Sequence, residues 1–532
     1  MKKTIAKLMV VALCITISPA LNTNAKTKIS VTKSMNLTVK KSKTIKVKGS
    51  YIKSKKYKSS NKKVATVNKK GKVTGKSKGN CRIIVTIKYK NTKKAKVYRT
   101  KKAICYVKVK NKKIATSTPK VAPTNTPTAK PSSKPTATPT NKPDSPDETT
   151  TAKSANDVAT LRKIIAEQKA LGATISEDLD SEQYTWEKVK PDDKEKRLVG
   201  IDWYECGLKG TISFNKLTGI KKLVIGASGL TSIDVSQNIA LEYLECDNSC
   251  LANLDVSNNI ALKYLGCFCN GLSNLDVSKN VALEALSCSD NHLTNLDVSK
   301  NVALEHLNCS ANQITSLDLS KNTALTRLDC YFNQLTSLDL SKNTVLEYVT
   351  CGVNQLTSLD VSKSTVLEYL SCSVNQLTSL DVGKSTVLES LLCDHNQLTS
   401  LDVSKNTALT RLVCGSNQIT SLDVSKNTAL ASLECGSNQI TSLDVSKNTA
   451  LTRLSCGDNQ LINLNVSNNT ALTSLYCGFN QLTNLDVRKN IALTELYCSG
   501  NSRLTSLDVS QNTALEELDC DDTCVVTGYN KS

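Results

Sequence analysis

Residues 409–429 read LTRLVCGSNQITSLDVSKNTA, and the same 21-residue frame returns from about Leu198 to the C-terminus. Cysteine marks it most plainly. Thirteen cysteines, from Cys246 to Cys498, stand 21 residues apart, and Cys520 follows after 22 because a residue is inserted near Arg503. Trp203 and Ile225 fill the same slot in two divergent leading units, giving about sixteen units. A fixed period of this size predicts a solenoid, in which each turn buries its apolar edge only against its neighbours. Within the unit, Leu412 and Cys414 alternate with Val413, so a short strand has one side inward and one outward. Asn417 is placed to turn the chain and to bond backbone groups of neighbouring turns. Leu422-Asp423-Val424 repeats the alternation on a return path too short for a helix of average length.

Written as L-x-x-L-x-C-x-x-N-x-L-x-x-L-D-V-S-x-N-x-A, the unit strongly resembles the leucine-rich repeat, whose hallmark is L-x-x-L-x-L-x-x-N/C-x-L. It is most similar to the short repeats of bacterial extracellular, internalin-like proteins, over roughly residues 198–520, with Cys replacing the third leucine. The resemblance implies a leucine-rich repeat solenoid with one short parallel strand per turn and little helix.

Upstream of the repeats the chain changes character several times. MKKTIAK and the apolar run Leu8–Leu21, broken by Pro19, read as a secretory signal peptide over residues 1–25, cleaved after Ala25. The run is shorter than a bilayer span, so no transmembrane segment is expected in the mature chain. Residues 26–113 hold 32 Lys or Arg and no Asp or Glu. Strands are expected at Asn36–Val39, Ile45–Val47, Arg82–Ile87 and Cys105–Val109, with turns at Lys70-Gly71-Lys72 and Lys78-Gly79-Asn80. SSNKKVATV at Ser59–Val67 and GKVTG at Gly71–Gly75 resemble the signature of the bacterial Ig-like group 2 domain, which implies a small β-sandwich acting as spacer or stalk. So much unopposed positive charge favours a polyanion. Anionic cell-wall polymers or acidic lipids suit an exported chain, whereas no nucleic-acid reading motif is present. A surface serving solubility alone is the other reading.

Residues 114–155, rich in Pro, Thr and Ser, are a linker that cannot bury a core. Residues 156–197 read as the N-terminal cap of the solenoid, with a helix over Asn156–Leu171 and strand-like Tyr184–Trp186 and Arg197–Trp203. The tail, 521–532, offers only Val525 and Val526, a thin cap. The charge divides accordingly: +32 on residues 26–113 against −15 on residues 156–532, within a total of +22.

Little here points to chemistry. Fourteen of the 21 cysteines share one inward position, where a small apolar side chain packs well, so a ladder of free thiols is expected rather than disulfides or a metal row. Cys81 with Cys105, and Cys250 with Cys269, are candidates for bridges, and Cys206 reads as a buried turn residue. The Asp column (Asp402, Asp423, Asp444 and equivalents) reads as turn caps neutralised by neighbouring lysines, not as calcium ligands. His292, His306 and His395 are scattered, and no catalytic constellation, metal site or cofactor motif stands out. What remains is a surface. Between residues 241 and 520 every Tyr and Phe falls at or beside the outward strand positions and none on the return path. Tyr243, Tyr264, Tyr348 and Tyr369 share one outward column, with Tyr331 and Phe332 close by and His306 and Arg327 between. These eight are the expected site, on the concave face, for an extracellular protein or glycan ligand. The expectation is an exported, non-enzymatic, surface-associated binding protein; the alternative is a structural wall component without a specific ligand.

Overall fold

A computed structural model describes residues 151–189 and 192–529, together with most of residues 30–110. The segment read as signal peptide and the linker up to residue 150 lie outside the described residues. The chain forms two compact units, residues 1–141 and 142–532.

In the first unit, strands Ser34–Thr38, Arg99–Lys110, Gly79–Tyr89 and Ile52–Ser59 form one sheet in that order. Ser42–Thr44, Lys72–Gly75 and Ala65–Val67 form another. Ile83, Val85 and Ile87 are buried, as are Ala65, Val73 and Ile45. Ile45 sits in a gap between two short strands rather than inside one, a shift from the expected strand at 45–47. The turn at Lys70–Lys72 forms as expected. The Asn68 side chain accepts the N–H groups of Lys70 and Lys72, each at 3.0 Å. Gly71 has φ +80°, and a Cβ there would lie 2.8 Å from the Tyr57 ring, so both dihedral and space require glycine. The backbone register sets Cys81 opposite Val107 and Cys105 opposite Ile83. A bridge between these two cysteines falls outside the described side chains.

The second unit opens on a helix, Ala155–Ala170, followed by strand Tyr184–Glu187 antiparallel to Arg197–Asp202. From Arg197–Asp202 onward every neighbour in this 17-stranded sheet is parallel, to Glu517–Asp519. Interior strands are three residues long and stack in register, Leu412 beside Leu433 for instance. Return paths form short strand pairs only at the ends of the solenoid, Lys209–Ser213 with Gly229–Asp234 and Ser506–Asp508 with Val525–Thr527. In between, Leu422 and Val424 are buried and Asp423 is exposed, so the expected alternation holds without a strand.

Two asparagine ladders tie the turns together. Asn417 donates to the carbonyls of Cys393, Cys414 and Gly415, each at 3.1 Å, and accepts the Leu398 N–H at 3.0 Å. The asparagine of S-K-N is also buried: Asn427 donates to Val403 and Asn406 carbonyls at 3.0 and 2.9 Å. A third column was not foreseen. The second residue after the column cysteine is left-handed in turn after turn, and apart from Gly500 it is not glycine: Asp290, Ala311, Phe332, Val353, Val374 and others have φ of 51–57°. Each such N–H is held by the next turn, as Val353 is by the Ser373 carbonyl at 2.9 Å, which offsets a conformation that β-branched residues rarely adopt.

The column cysteines from Cys246 to Cys498 are buried and free, and so is Cys206, whose sulfur accepts from Gln183 at 3.3 Å. Burial pushes the thiols of Cys309, Cys351, Cys435 and Cys477 up to about 12, and it raises the rest of the column well above the ordinary thiol value too. A thiol so protonated is a poor nucleophile. Cys250 and Cys269 are exposed and free rather than bridged. Native alkylation is therefore expected to label Cys250 and Cys269 while the column reacts only after denaturation. Mass spectrometry showing rapid native labelling of Cys351 would contradict this.

At the far end, Cys524 is buried and Tyr529 packs on the core, donating to the Glu516 carbonyl at 3.3 Å. The cap thus rests more on these two than on Val525, which is 69% exposed.

Candidate functional site

Each interior strand buries its middle residue and presents its first and third on the outer face of the sheet. The first positions run Tyr243, Tyr264, Ala285, His306, Arg327, Tyr348, Tyr369 and Ser390, each in register with the next. The predicted column is therefore real, but it divides into two groups. Tyr243 and Tyr264 stack with ring centroids 4.3 Å apart and planes at 6°; Tyr348 and Tyr369 stack at 4.3 Å and 9°. Four turns separate Tyr264 from Tyr348, about 19 Å at 4.8 Å per turn.

Arg327 belongs to the second group. Its guanidinium lies 4.0 Å from the centroid of Tyr348. Asp329 fixes it through Nε at 2.6 Å and Nη2 at 3.3 Å, and Thr350 in turn donates to Asp329 at 2.8 Å. Arg327, Tyr348 and Tyr369 thus form one continuous stack across three turns, with cation–π and aromatic attraction along it. Tyr331 and Phe332 lie just past the strand, 44% and 40% exposed, with centroids 6.3 Å apart. Gly352 in the following turn leaves room for Tyr331, since a Cβ there would be 3.3 Å from its ring and 2.8 Å from the Ser373 carbonyl.

The rings are half-buried rather than fully solvent-facing, because each lies on its neighbour. Burial pushes the Tyr348 hydroxyl up to about 12, so it stays protonated as a hydrogen-bonding group. In the first group, Tyr243 donates to Glu245 at 2.5 Å, and burial pushes the Asp247 carboxyl up to about 7. Asp247 also accepts the Phe268 N–H at 3.0 Å. His306 lies between the groups, in register with Arg327.

A third pair stands in the other column. Tyr476 and Tyr497 stack at 4.6 Å and 7°, with Arg453 4.8 Å from the Tyr476 ring. It repeats the Arg–Tyr–Tyr order of the second group, but with Arg453 in the first column and both tyrosines in the third. Here both hydroxyls donate to carboxylates, Tyr476 to Glu495 at 2.5 Å and Tyr497 to Glu517.

The Asp column caps turns, as expected. Ser278 N–H donates to Asp276 at 2.8 Å, and the pattern repeats at Asp297, Asp318 and Asp402. Their carboxyls sit below the usual range chiefly because of the serine N–H and then its side chain. The lysines expected as neutralisers contribute less. Among the described residues no group of His, Cys, Asp and Glu is arranged to hold a metal, and no helix is long and apolar enough to cross a membrane.

Residues 15–97 match the bacterial Ig-like domain (group 2), a span that stops before strand Arg99–Lys110. No curated protein sequence matches the chain. Among solved structures, the chain is similar to the functional domain of InlJ from Listeria monocytogenes, which is described as including a cysteine ladder. The identity is 40% and the TM-score 0.55, over 56% of this chain and 67% of that one. YopM from Yersinia enterocolitica is 23% identical with a TM-score of 0.50, over 61% of this chain and 78% of that one, a likeness of fold alone.

Proposed function

Since the chain belongs to the internalin-like leucine-rich repeat proteins and carries a bacterial Ig-like domain ahead of its solenoid, we propose that it is an exported surface protein recognising an extracellular protein or glycan. The binding surface is the outer face of the long sheet, centred on Arg327, Tyr348 and Tyr369 with Tyr331 and Phe332 beside them. The fold does not need these rings. Ser390, Ser432 and Ser474 hold the same slot in later turns, and their strands form in the same register. A position that tolerates serine three times carries tyrosine for something other than folding. Stacked, half-buried tyrosines combine apolar area with a hydroxyl at little further entropic cost, which suits protein or sugar contacts.

The double variant Tyr348→Ser, Tyr369→Ser loses one stacked pair, about 0.5–1.5 kcal/mol beyond burial, and is expected to stay folded by circular dichroism. Used as bait in the full chain against extracellular protein and wall-glycan fractions, it should retain at least about tenfold less of the captured partner, as loss of an anchor implies. Unchanged capture, together with loss in Tyr476→Ser, Tyr497→Ser, would place the site at the other end. Capture of nothing by the native chain would favour a structural wall component.

The basic first unit supplies retention on anionic wall polymers. Binding of the full chain to wall preparations is expected to weaken steeply between about 0.05 and 0.5 M salt, since exposed charges are screened within a Debye length. Salt-independent retention would remove this account.

A further inference from the structure

One flank of the solenoid, the turn between return path and strand, carries a surface the repeat frame does not require. After the buried S-K-N asparagine, later turns place threonine: Thr407, Thr428, Thr449 and Thr470. Earlier turns place Ile239, Ile260, Val281 and Val302, which are 63, 59, 54 and 55% exposed. One residue further on, Val345, Val366 and Val387 replace the usual alanine and are 42, 44 and 45% exposed. The strip runs over eight turns, broken at Thr323-Ala324. Single exposed aliphatics are ordinary, but seven of them along one flank, in two adjacent columns, mark an interaction surface.

Charge frames the strip on both sides. Towards the return path, Lys279, Lys300, Lys321, Lys342, Lys363 and Lys384 form an exposed column. Towards the strand, Glu284, Glu305 and Glu389 are exposed, with Glu347 and Glu368 in the same column. That acidic column gives way to Thr410, Ala431 and Thr452 where the aliphatic strip gives way to threonine. The acidic column is interrupted at Lys263 and Thr326, and Ile491, 62% exposed, repeats the aliphatic residue once beyond the strip, so the fold holds in turns without either feature.

We infer that this flank joins two copies of the chain side by side, with their solenoids parallel. A two-fold axis along the solenoid reverses the order of columns across the contact. The lysines of one copy then face the glutamates of the other, with aliphatic strip on aliphatic strip. An axis across the solenoid would set lysine against lysine. Exposed pairs add little energy but decide orientation and partner. Closed two-fold symmetry also forbids stagger, so each strip residue meets its own counterpart, Val281 against Val281. Eight turns at about 4.8 Å give about 38 Å of length. A band about 20 Å wide then reaches the roughly 800 Å² per partner of a stable interface. The outer sheet face stays open in this arrangement.

Sedimentation of the full chain should show a dimer by about 100 μM at low salt, an affinity within reach of such an area. Val281→Lys with Val302→Lys should weaken association at least tenfold. These side chains are exposed, so the variants should fold. Lys279→Glu with Lys300→Glu should weaken it too, and adding Glu284→Lys with Glu305→Lys should restore it. In a Cys250→Ser, Cys269→Ser background, Val281→Cys should form a disulfide-linked dimer when oxidised glutathione accepts the two electrons. A monomer at about 100 μM overturns the proposal. So does a dimer indifferent to the lysine substitutions, or cross-linking of Ile239→Cys chains to Val387→Cys chains in place of Val281→Cys to itself.

Discussion

Asp157→Ala is expected to destabilise the N-terminal end of the solenoid by about 3 kcal/mol, the lower part of the range for breaking a buried ion pair. The Asp157 side chain is fully buried in the first turn of the cap helix. It accepts Nε and Nη2 of Arg197 at 2.7 and 3.0 Å and the Leu198 N–H at 3.0 Å. One carboxylate therefore ties the helix to the first parallel strand. Alanine leaves the Leu198 amide buried without this partner. The Arg197 side chain, 33% exposed, still reaches water, which keeps the loss from the top of the range. Both tryptophans of the chain, Trp186 and Trp203, sit in this end, and Trp203 packs edge-on to Tyr184 at 6.2 Å. Tryptophan fluorescence thus reports the cap, while far-ultraviolet circular dichroism averages over the turns. In a repeat protein, where stability is nearly a sum of local terms, the fluorescence transition should move to lower denaturant and separate from the dichroism transition. Asp157→Asn, which keeps one acceptor, should fall between. Coincident transitions with no shift would show that the cap is held by something else.

What could be read from the sequence was whatever repeats. A period of 21 residues fixes turn number, strand position and the inward cysteines, because a solenoid turn meets the same neighbours each time. The cap helix was legible from its own spacing to within a residue at each end, Ala155–Ala170 against 156–171. The Asp157–Arg197 bond was not, since it joins residues 40 apart and nothing in either segment announces the other. The left-handed column was hidden for a different reason. Positive φ is ordinarily read from Gly or Asn, and here Val353 and Val374 adopt it under the hold of the next turn. The tyrosine column was correctly placed on the outer face, but a list of outward residues does not show that rings stack, or that Arg327 joins Tyr348 of the next turn in a group separate from Tyr264. Those facts depend on side-chain direction, which spacing leaves open.

The two asparagine ladders look alike in sequence and should respond differently to substitution. Asn354 uses its whole amide: it donates to the carbonyls of Cys330, Cys351 and Gly352 at 3.1, 3.0 and 3.2 Å and accepts the Leu335 N–H at 3.0 Å. Asn354→Ala strands a buried N–H and several carbonyls in two adjacent turns. At about 1–3 kcal/mol per unsatisfied group, the expected loss is about 3–5 kcal/mol. Asn427 uses half of its amide. Nδ2 bonds two carbonyls, while the buried Oδ1 has no protein partner. Two turns already run with serine in this slot. Ser364 donates to the Asn343 carbonyl at 3.4 Å and Ser385 to the Ser364 carbonyl at 3.2 Å. Asn427→Ser should therefore cost only about 1 kcal/mol, one net hydrogen bond, and Ser385→Asn should gain a similar amount. Denaturant unfolding followed by circular dichroism checks both. Equal losses at Asn354 and Asn427 would mean that the Oδ1 bond to the neighbouring N–H carries no weight, and that the ladders hold the turns through their donors alone.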